Sequence, residues 1–326
     1  MLAFVSLPAE ADSPMAEPSL TLVAATSAVG GAMSAVAQTD GTVLVADTEG
    51  HCVRRFDPAS GSLETVLGRC GEAGDTLDGD PLTMRLDHPC ALAMDGFLVT
   101  ADTGNGRLVV LKDGNARVVT LASSGETARP MDLALAPGGS QCYMADYQRH
   151  RVWRVNLEDG TMEPVAGSGR EGFDEHGLAA VQSALSSPVG LSLYLTSQGD
   201  ERLFILEAGN GLVRLLLADM GLLMPQMGDP WRRHLAGEAS PVSAPLAVLS
   251  RPARISADSR GLAILVTDPP AGALWRYSLA DGNASRVVLT GGEDLGPVIS
   301  ARWNARSDRL ATTHVNGVAL WTATWR

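Results

Sequence analysis

Short apolar runs with a period of two recur along this chain, and they come in pairs. Val43–Asp47 is followed by the polar turn Thr48-Glu49-Gly50-His51 and then by Cys52–Phe56. The phrase is an apolar strand ending in a small residue and an acid, a four-residue turn, and a second apolar strand. It returns at Leu98–Asp102 with 107–111, and at 143–146 with 151–155. Weaker copies follow at 203–207 with 212–214, at 264–268 with 273–277, and at 310–314 with 318–321. Alternation over five or six residues, bounded by turn formers, predicts antiparallel hairpins.

A second phrase precedes each hairpin after the first. Prolines 89, 130, 188, 252 and 297 each introduce a short alternating run, at 90–94, 131–136, 189–193, 253–257 and 298–303. Proline suits the first position of a strand, where its missing donor leaves no ladder bond unmade. Small residues alternate with larger ones in these runs, as a crowded innermost strand requires. The acids or their equivalents at 47, 102, 146, 207, 268 and 314 recur every 45–60 residues or so, a propeller blade with loop insertions. Six copies predict an all-β, six-bladed β-propeller. The last copy lacks an outer strand, whereas residues 19–25 form a spare one before the first inner strand. The expected solution is a ring closed by the N-terminal strand joining the last blade, which removes the exposed edges. Residues 1–17 then form an extension and 18–326 a single domain.

Composition adds limits. The chain has 326 residues, 45% of them hydrophobic and 5% aromatic, so its core is aliphatic. The formal net charge of −12 opposes a phosphate backbone at long range, and no nucleic-acid partner is expected. The longest apolar stretch, near 212–224, carries Arg214 and Asp219 and falls short of a membrane span. Cys52, Cys70, Cys90 and Cys142 show no metal-ligand spacing. Cys52 and Cys142 lie in apolar runs, where a free cysteine acts as a small hydrophobe. These thiols, and an N-terminus without the basic flank of a secretory signal, favour an intracellular setting, cytoplasmic or organellar.

The sequence resembles the NHL-repeat β-propeller family. The resemblance rests on Gly71, Gly74, Asp78-Gly79, Leu86 and Pro89, followed by Thr100-Ala101-Asp102-Thr103-Gly104-Asn105-Gly106-Arg107-Leu108. Gly167, Gly169, Gly172, Asp174, Leu185 and Pro188 repeat the first half. The likeness runs from about Gly30 to the C-terminus and is strongest through Pro188. It implies the fold, because the motif residues are structural in that family. His51 and His150 stand where the family pattern carries His and are expected to pack turns and edges. Enzymatic relatives of the peptide-amidating type hold a metal with histidines after such prolines. The matching positions here are Cys90, Met131, Val189, Ala253 and Val298, so no metal and no cofactor is expected.

Three groups of candidate residues remain. Asp132, Arg254 and His88, flanking the prolines of successive blades, would converge at the channel mouth as weak catalytic candidates. Arg129 and Arg251 could hold a carboxylate or phosphate as paired donors. The segment 218–252 is longer than a blade connection needs. Within it Met224, Met227, Trp231, Arg232 and Arg233 form a Met-rich, basic loop suited to a protein partner. No nucleophile elbow, phosphate loop or zinc helix is present. The expected function is a non-enzymatic interaction platform or assembly subunit. The alternative is a hydrolase or lyase acting on a small molecule at the channel mouth.

Overall fold

The predicted hairpins form, and their turns explain the residues found there. The residue before the third strand of five blades lies in the left-handed region: His51 (φ 55°), Gly106 (65°), His150 (52°), Gly211 (61°) and Gly272 (57°). A Cβ crowds the backbone there, so glycine is favoured and histidine is among the tolerated alternatives. The turn closes by donation from that residue's N–H, His51 to Thr48 O at 3.3 Å and Gly106 to Thr103 O at 3.2 Å.

A computed structural model describes residues 19–324 apart from 30, 78, 123–126, 175–178, 229–241, 244–248, 260, 262, 291–292 and 305. The N-terminal extension read at 1–17 lies outside the described residues. Strand β1 (Ser19–Thr26) comes first in the chain and belongs to the last blade. Blade 1 consists of β2 (Ser34–Ala37), β3 (Val43–Asp47), β4 (Cys52–Phe56) and β5 (Leu63–Leu67). Blade 2 follows as β6 (Pro89–Met94), β7 (Leu98–Asp102), β8 (Arg107–Lys112) and β9 (Asn115–Val119). Blade 3 is β10 (Pro130–Leu135), β11 (Gln141–Asp146), β12 (Arg151–Asn156) and β13 (Met162–Ala166). Blade 4 is β14 (Pro188–Leu195), β15 (Glu201–Glu207), β16 (Leu212–Leu217) and β17 (Leu222–Met227).

Blade 5 carries an extra outermost strand, β18 (Val242–Ser243), beyond β19 (Arg254–Ala257), β20 (Ala263–Asp268), β21 (Ala273–Ser278) and β22 (Asn283–Arg286). Blade 6 is β23 (Val298–Trp303), β24 (Arg309–His314), β25 (Gly317–Thr324) and, outermost, β1. The inner strands β2, β6, β10, β14, β19 and β23 each touch the next, and β23 returns to β2. This is a six-bladed all-β propeller, closed as the sequence predicts by β1 against β25, from Ser19↔Thr324 to Thr26↔Val318. A bulge in β1 leaves Val23 exposed, while Leu20 and Leu22 pack around the buried Trp321.

β6, β10 and β14 begin on their prolines, and in each the register slips by one residue directly afterwards. β23 has the same slip after Val298. Cys90, Met131, Val189 and Ile299 are the bulged residues, and the bulges turn the next side chains toward the ring's interior. Aliphatic clusters fill the gaps between blades. One joins Leu206, Val213 and Leu215 of blade 4 to Ile255, Ile264 and Trp275 of blade 5.

The cysteines correct the sequence reading. Cys52 is not a free thiol but forms a disulfide with Cys70, 18 residues on, tying the start of β4 to the turn after β5. Their Cα atoms are 5.1 Å apart, within the usual range for a bridge. Spacing concealed the pair because β4 and β5 run antiparallel and bring distant residues side by side. Disulfides persist mainly in oxidising compartments, so the free-thiol argument for an intracellular setting no longer applies. Cys90 and Cys142 are free and buried.

Candidate functional site

Strand edges facing a propeller axis carry N–H groups that no further strand can pair. In this ring, side chains of the preceding blade accept them. Ser192 Oγ of blade 4 accepts Ala257 N of blade 5 at 2.7 Å, and Ser256 Oγ of blade 5 accepts Trp303 N of blade 6 at 3.1 Å. Asp132 of blade 3 accepts Leu191 N of blade 4 at 2.9 Å and Leu133 N at 3.0 Å. Asp132 stands two residues earlier on its strand than these serines do on theirs, at the place of Gly190 and Arg254, and it leaves a full charge to neutralise at a position with no solvent exposure. Arg302 of blade 6 supplies the countercharge, reaching across the ring to Asp132 and also donating to Leu92 O of blade 2 at 3.1 Å.

Arg254 also spans the interior. From blade 5 it donates to Val189 O of blade 4 at 3.1 Å and to Cys90 O of blade 2 at 3.0 Å. It is 1% exposed, and this burial pulls its pKa down, opposed by the Asp132 charge. Burial also pushes the Cys90 thiol up, which makes it a poor nucleophile. Asp132 and Arg254 thus come near each other, inside the ring and engaged with protein groups. Arg302 went unnoticed in the sequence. Its signal was an arginine on an alternating inner-strand run two residues beyond Ser300.

The segments leading into blades 2 and 4 share one construction. Asp102 accepts Asp87 N (2.6 Å), Asn105 Nδ2 (2.8 Å) and Arg107 Nε (2.7 Å), while Asn105 donates to Gly74 O and Arg107 to Thr76 O and Arg85 O. Glu207 accepts Ser186 N, Asn210 Nδ2 and Arg214 Nε, while Asn210 donates to Gly172 O and Arg214 to Ala184 O. The longer Glu side chain explains why its arginine sits two positions further along the strand than Arg107. Among the strand-end acids, Asp47 accepts from the turn that follows it, from Gly50 N at 3.1 Å. Asp102, Glu207 and Asp268 instead accept N–H groups of the segment leading into their own inner strand, and Asp146 accepts both such a group and the Arg149 amide of its turn.

The two histidines before third strands perform edge work. His51 Nδ1 accepts His88 N at 3.2 Å, and His150 Nδ1 accepts Ser187 N at 3.1 Å. His88, exposed at the rim, stands apart from Asp132 and Arg254 in its contacts. Its Nδ1 lies 2.6 Å from Asp87 Oδ1 and its ring 4.5 Å from that of His51, nearly perpendicular.

The remaining predicted residues are dispersed. Arg129 donates to Thr103 O and Gly104 O at the adjoining turn, and Arg251 is exposed with its amide held by Asp268. The segment read as a Met-rich loop is, in its first part, the outer strand β17. Met227 is buried in the core and Met224 partly buried, because alternation along a strand turns one side inward. Trp231, Arg232 and Arg233 lie outside the described residues. Met220 and Leu222 are exposed beside Val181, where Ala179 bridges to Leu222.

No family model matches the chain. It is 28% identical over 143 residues to NHL repeat-containing protein 2 of Bos taurus, covering 37% of this chain and 19% of that protein. It is 25% identical over 190 residues to the chloroplastic protein SUPPRESSOR OF QUENCHING 1 of Arabidopsis thaliana, covering 51% and 17%. The chain thus spans about a fifth of the length of these relatives. Among solved structures, a gluconolactonase from Xanthomonas campestris superposes with a TM-score of 0.63 at 15% identity, covering 99% of both chains. A streptogramin B lyase superposes with a TM-score of 0.56 at 12% identity, covering 94% of this chain and 99% of that one. Identities this low show the fold alone. Relatives and architecture together support the resemblance read from the sequence: the chain is an NHL-like six-bladed β-propeller.

Proposed function

We propose that this propeller is a non-enzymatic interaction platform, presenting its rim and blade flanks to protein partners. One observation carries the reading. Asp132 and Arg254, the groups that an active site at the channel mouth would use, are buried and engaged with Arg302 and with backbone carbonyls of other blades. A carboxylate whose oxygens already accept two amides and a guanidinium has no free side to offer a substrate. The flank of blade 4, where Val181, Met220 and Leu222 are exposed together, offers the apolar contact such a platform needs. Arg232 and Arg233 extend that segment in sequence.

The alternative, a hydrolase or lyase acting on a small molecule, is favoured by the enzymes among the similar folds and by the exposed His88 beside Asp87. Native mass spectrometry of the protein purified from its source at low salt separates the two. Recovery with stoichiometric protein subunits, weakened by reversing the charges of Arg232 and Arg233, is the expected result. Recovery of the chain alone, or with a stoichiometric organic molecule, overturns the platform.

A further inference from the structure

His51, Asp87 and His88 are the one group of metal-ligating side chains among the described residues whose donor atoms come within 4.8 Å of one another. They are 36 residues apart in part, and the fold assembles them where blade 1 hands over to blade 2. His51 Nδ1 lies 3.4 Å from Asp87 Oδ1, and Asp87 Oδ1 lies 2.6 Å from His88 Nδ1. We propose that these three residues form a binding site for a divalent transition metal, of which Zn2+ is the best fit.

The geometry suits such an ion. Ligand atoms about 2.0–2.1 Å from a tetrahedral zinc sit about 3.3 Å from each other. The His51–Asp87 separation already has that value. The Asp87–His88 separation is shorter because the two are hydrogen-bonded, and His88 is the exposed partner, free to swing outward by a fraction of an ångström. Coordination through His88 Nδ1 replaces that hydrogen bond and leaves the ring proton on Nε2. Metal capture also takes His51 Nδ1 from the His88 amide, so one weak hydrogen bond of 3.2 Å is exchanged for a coordinate bond. Two imidazoles and one carboxylate select borderline ions over Ca2+ or Mg2+, which take oxygen ligands. Three protein ligands leave the fourth position for water or an external donor.

The ligands are held in place before any metal arrives. His51 occupies the left-handed turn position and is followed directly by the bridged Cys52. Asp87 is fixed through its backbone on both sides, its N–H by Asp102 and its carbonyl by Gly104 N at 2.8 Å. Its carboxylate lies against Gly104, where an added Cβ would come within 2.2 Å of Oδ2. The junction between blades 3 and 4 is an internal control. His150, Ser186 and Ser187 occupy the corresponding places there with the same backbone bonds, and Gly209 stands for Gly104. The backbone plan thus needs no Asp or second His, and both appear only at the blade 1–2 junction.

The test is a calorimetric titration of the chelator-treated full chain with Zn2+, paired with visible absorption of the Co2+-substituted protein. One saturable equivalent is expected, with ligand-field bands showing nitrogen coordination. His88→Ala and Asp87→Asn should each weaken binding by at least about tenfold, and Gly104→Ala should weaken it by displacing the carboxylate. His150→Ala should leave binding unchanged. Circular dichroism confirms that each variant is folded. A wild-type chain with no saturable equivalent overturns the site, as do His88→Ala and Asp87→Asn variants that bind like wild type. Equal loss in the His150→Ala variant overturns it too.

Discussion

The segments leading into blades 2 and 4 are two versions of one structure. Each has an acid at the end of the second strand, an asparagine three residues later and an arginine beyond it, closing over a glycine-rich lead-in. Among the described residues, each lead-in also touches the outer strand of its own blade through an isolated bridge, Gly79↔Ala116 in one and Ala179↔Leu222 in the other. They differ at the rim, where Asp87-His88 faces His51 in one and Ser186-Ser187 faces His150 in the other. The shared part is therefore what the fold requires, and the difference is what this chain added to it.

The largest test removes the acid from each copy. Asp102→Ala strands the buried Arg107, and Glu207→Ala strands the buried Arg214. Losing one partner of a buried pair costs about 3–5 kcal/mol, so both variants should show that loss in urea unfolding. A normal stability for either variant would break the equivalence. Next in size is the disulfide, which belongs only to the blade 1 side. Reducing it, or Cys70→Ser, should cost about 3 kcal/mol for a loop of this length. Amide exchange should quicken around β4 and β5 and stay unchanged around β12 and β13.

The smallest effect is one of sign. Blade 6 carries His314 where blades 2 and 4 carry an acid, and burial holds that imidazole below its ordinary value of 6.5. The unfolded chain then takes up a proton first, so stability is full above pH 6.5 and falls as pH drops through the lowered folded value. Burial raises the Asp102 carboxyl instead. Its contribution is full below the ordinary carboxyl value and is lost as pH rises through the folded one. Melting temperature against pH should therefore lose part of its acid-side decline in His314→Gln, whereas Asp102→Asn should leave that decline in place.

Much of this was legible in the sequence because repetition exposes architecture. Hairpins, strand-leading prolines and closure by residues 19–25 follow from alternation and from counting strands. Asp132 and Arg254 were read as neighbours because their blades share an axis, but their role was not readable. That role depends on Arg302, whose side chain crosses the ring to meet a residue 170 positions away. The Cys52–Cys70 bridge and the His51–Asp87–His88 group escaped notice for the same reason. Short-range spacing shows ligands on one element, whereas the cysteines meet through antiparallel strands of blade 1 and the three ligands through the handover from blade 1 to blade 2. Met227 was misplaced because composition alone does not tell a strand's inward side from a loop.

The arginines of the ring's interior bear on how the molecule comes apart. A repeat protein whose units touch only their neighbours can lose them one at a time, since each opening sacrifices only local contacts. Here Arg254 ties blade 5 to blades 2 and 4, and Arg302 ties blade 6 to blades 2 and 3. Opening any one of these five blades uncouples a spoke that braces others across the diameter. The wheel should therefore fail as a whole, in a single sharp transition, although its sequence is written in six instalments.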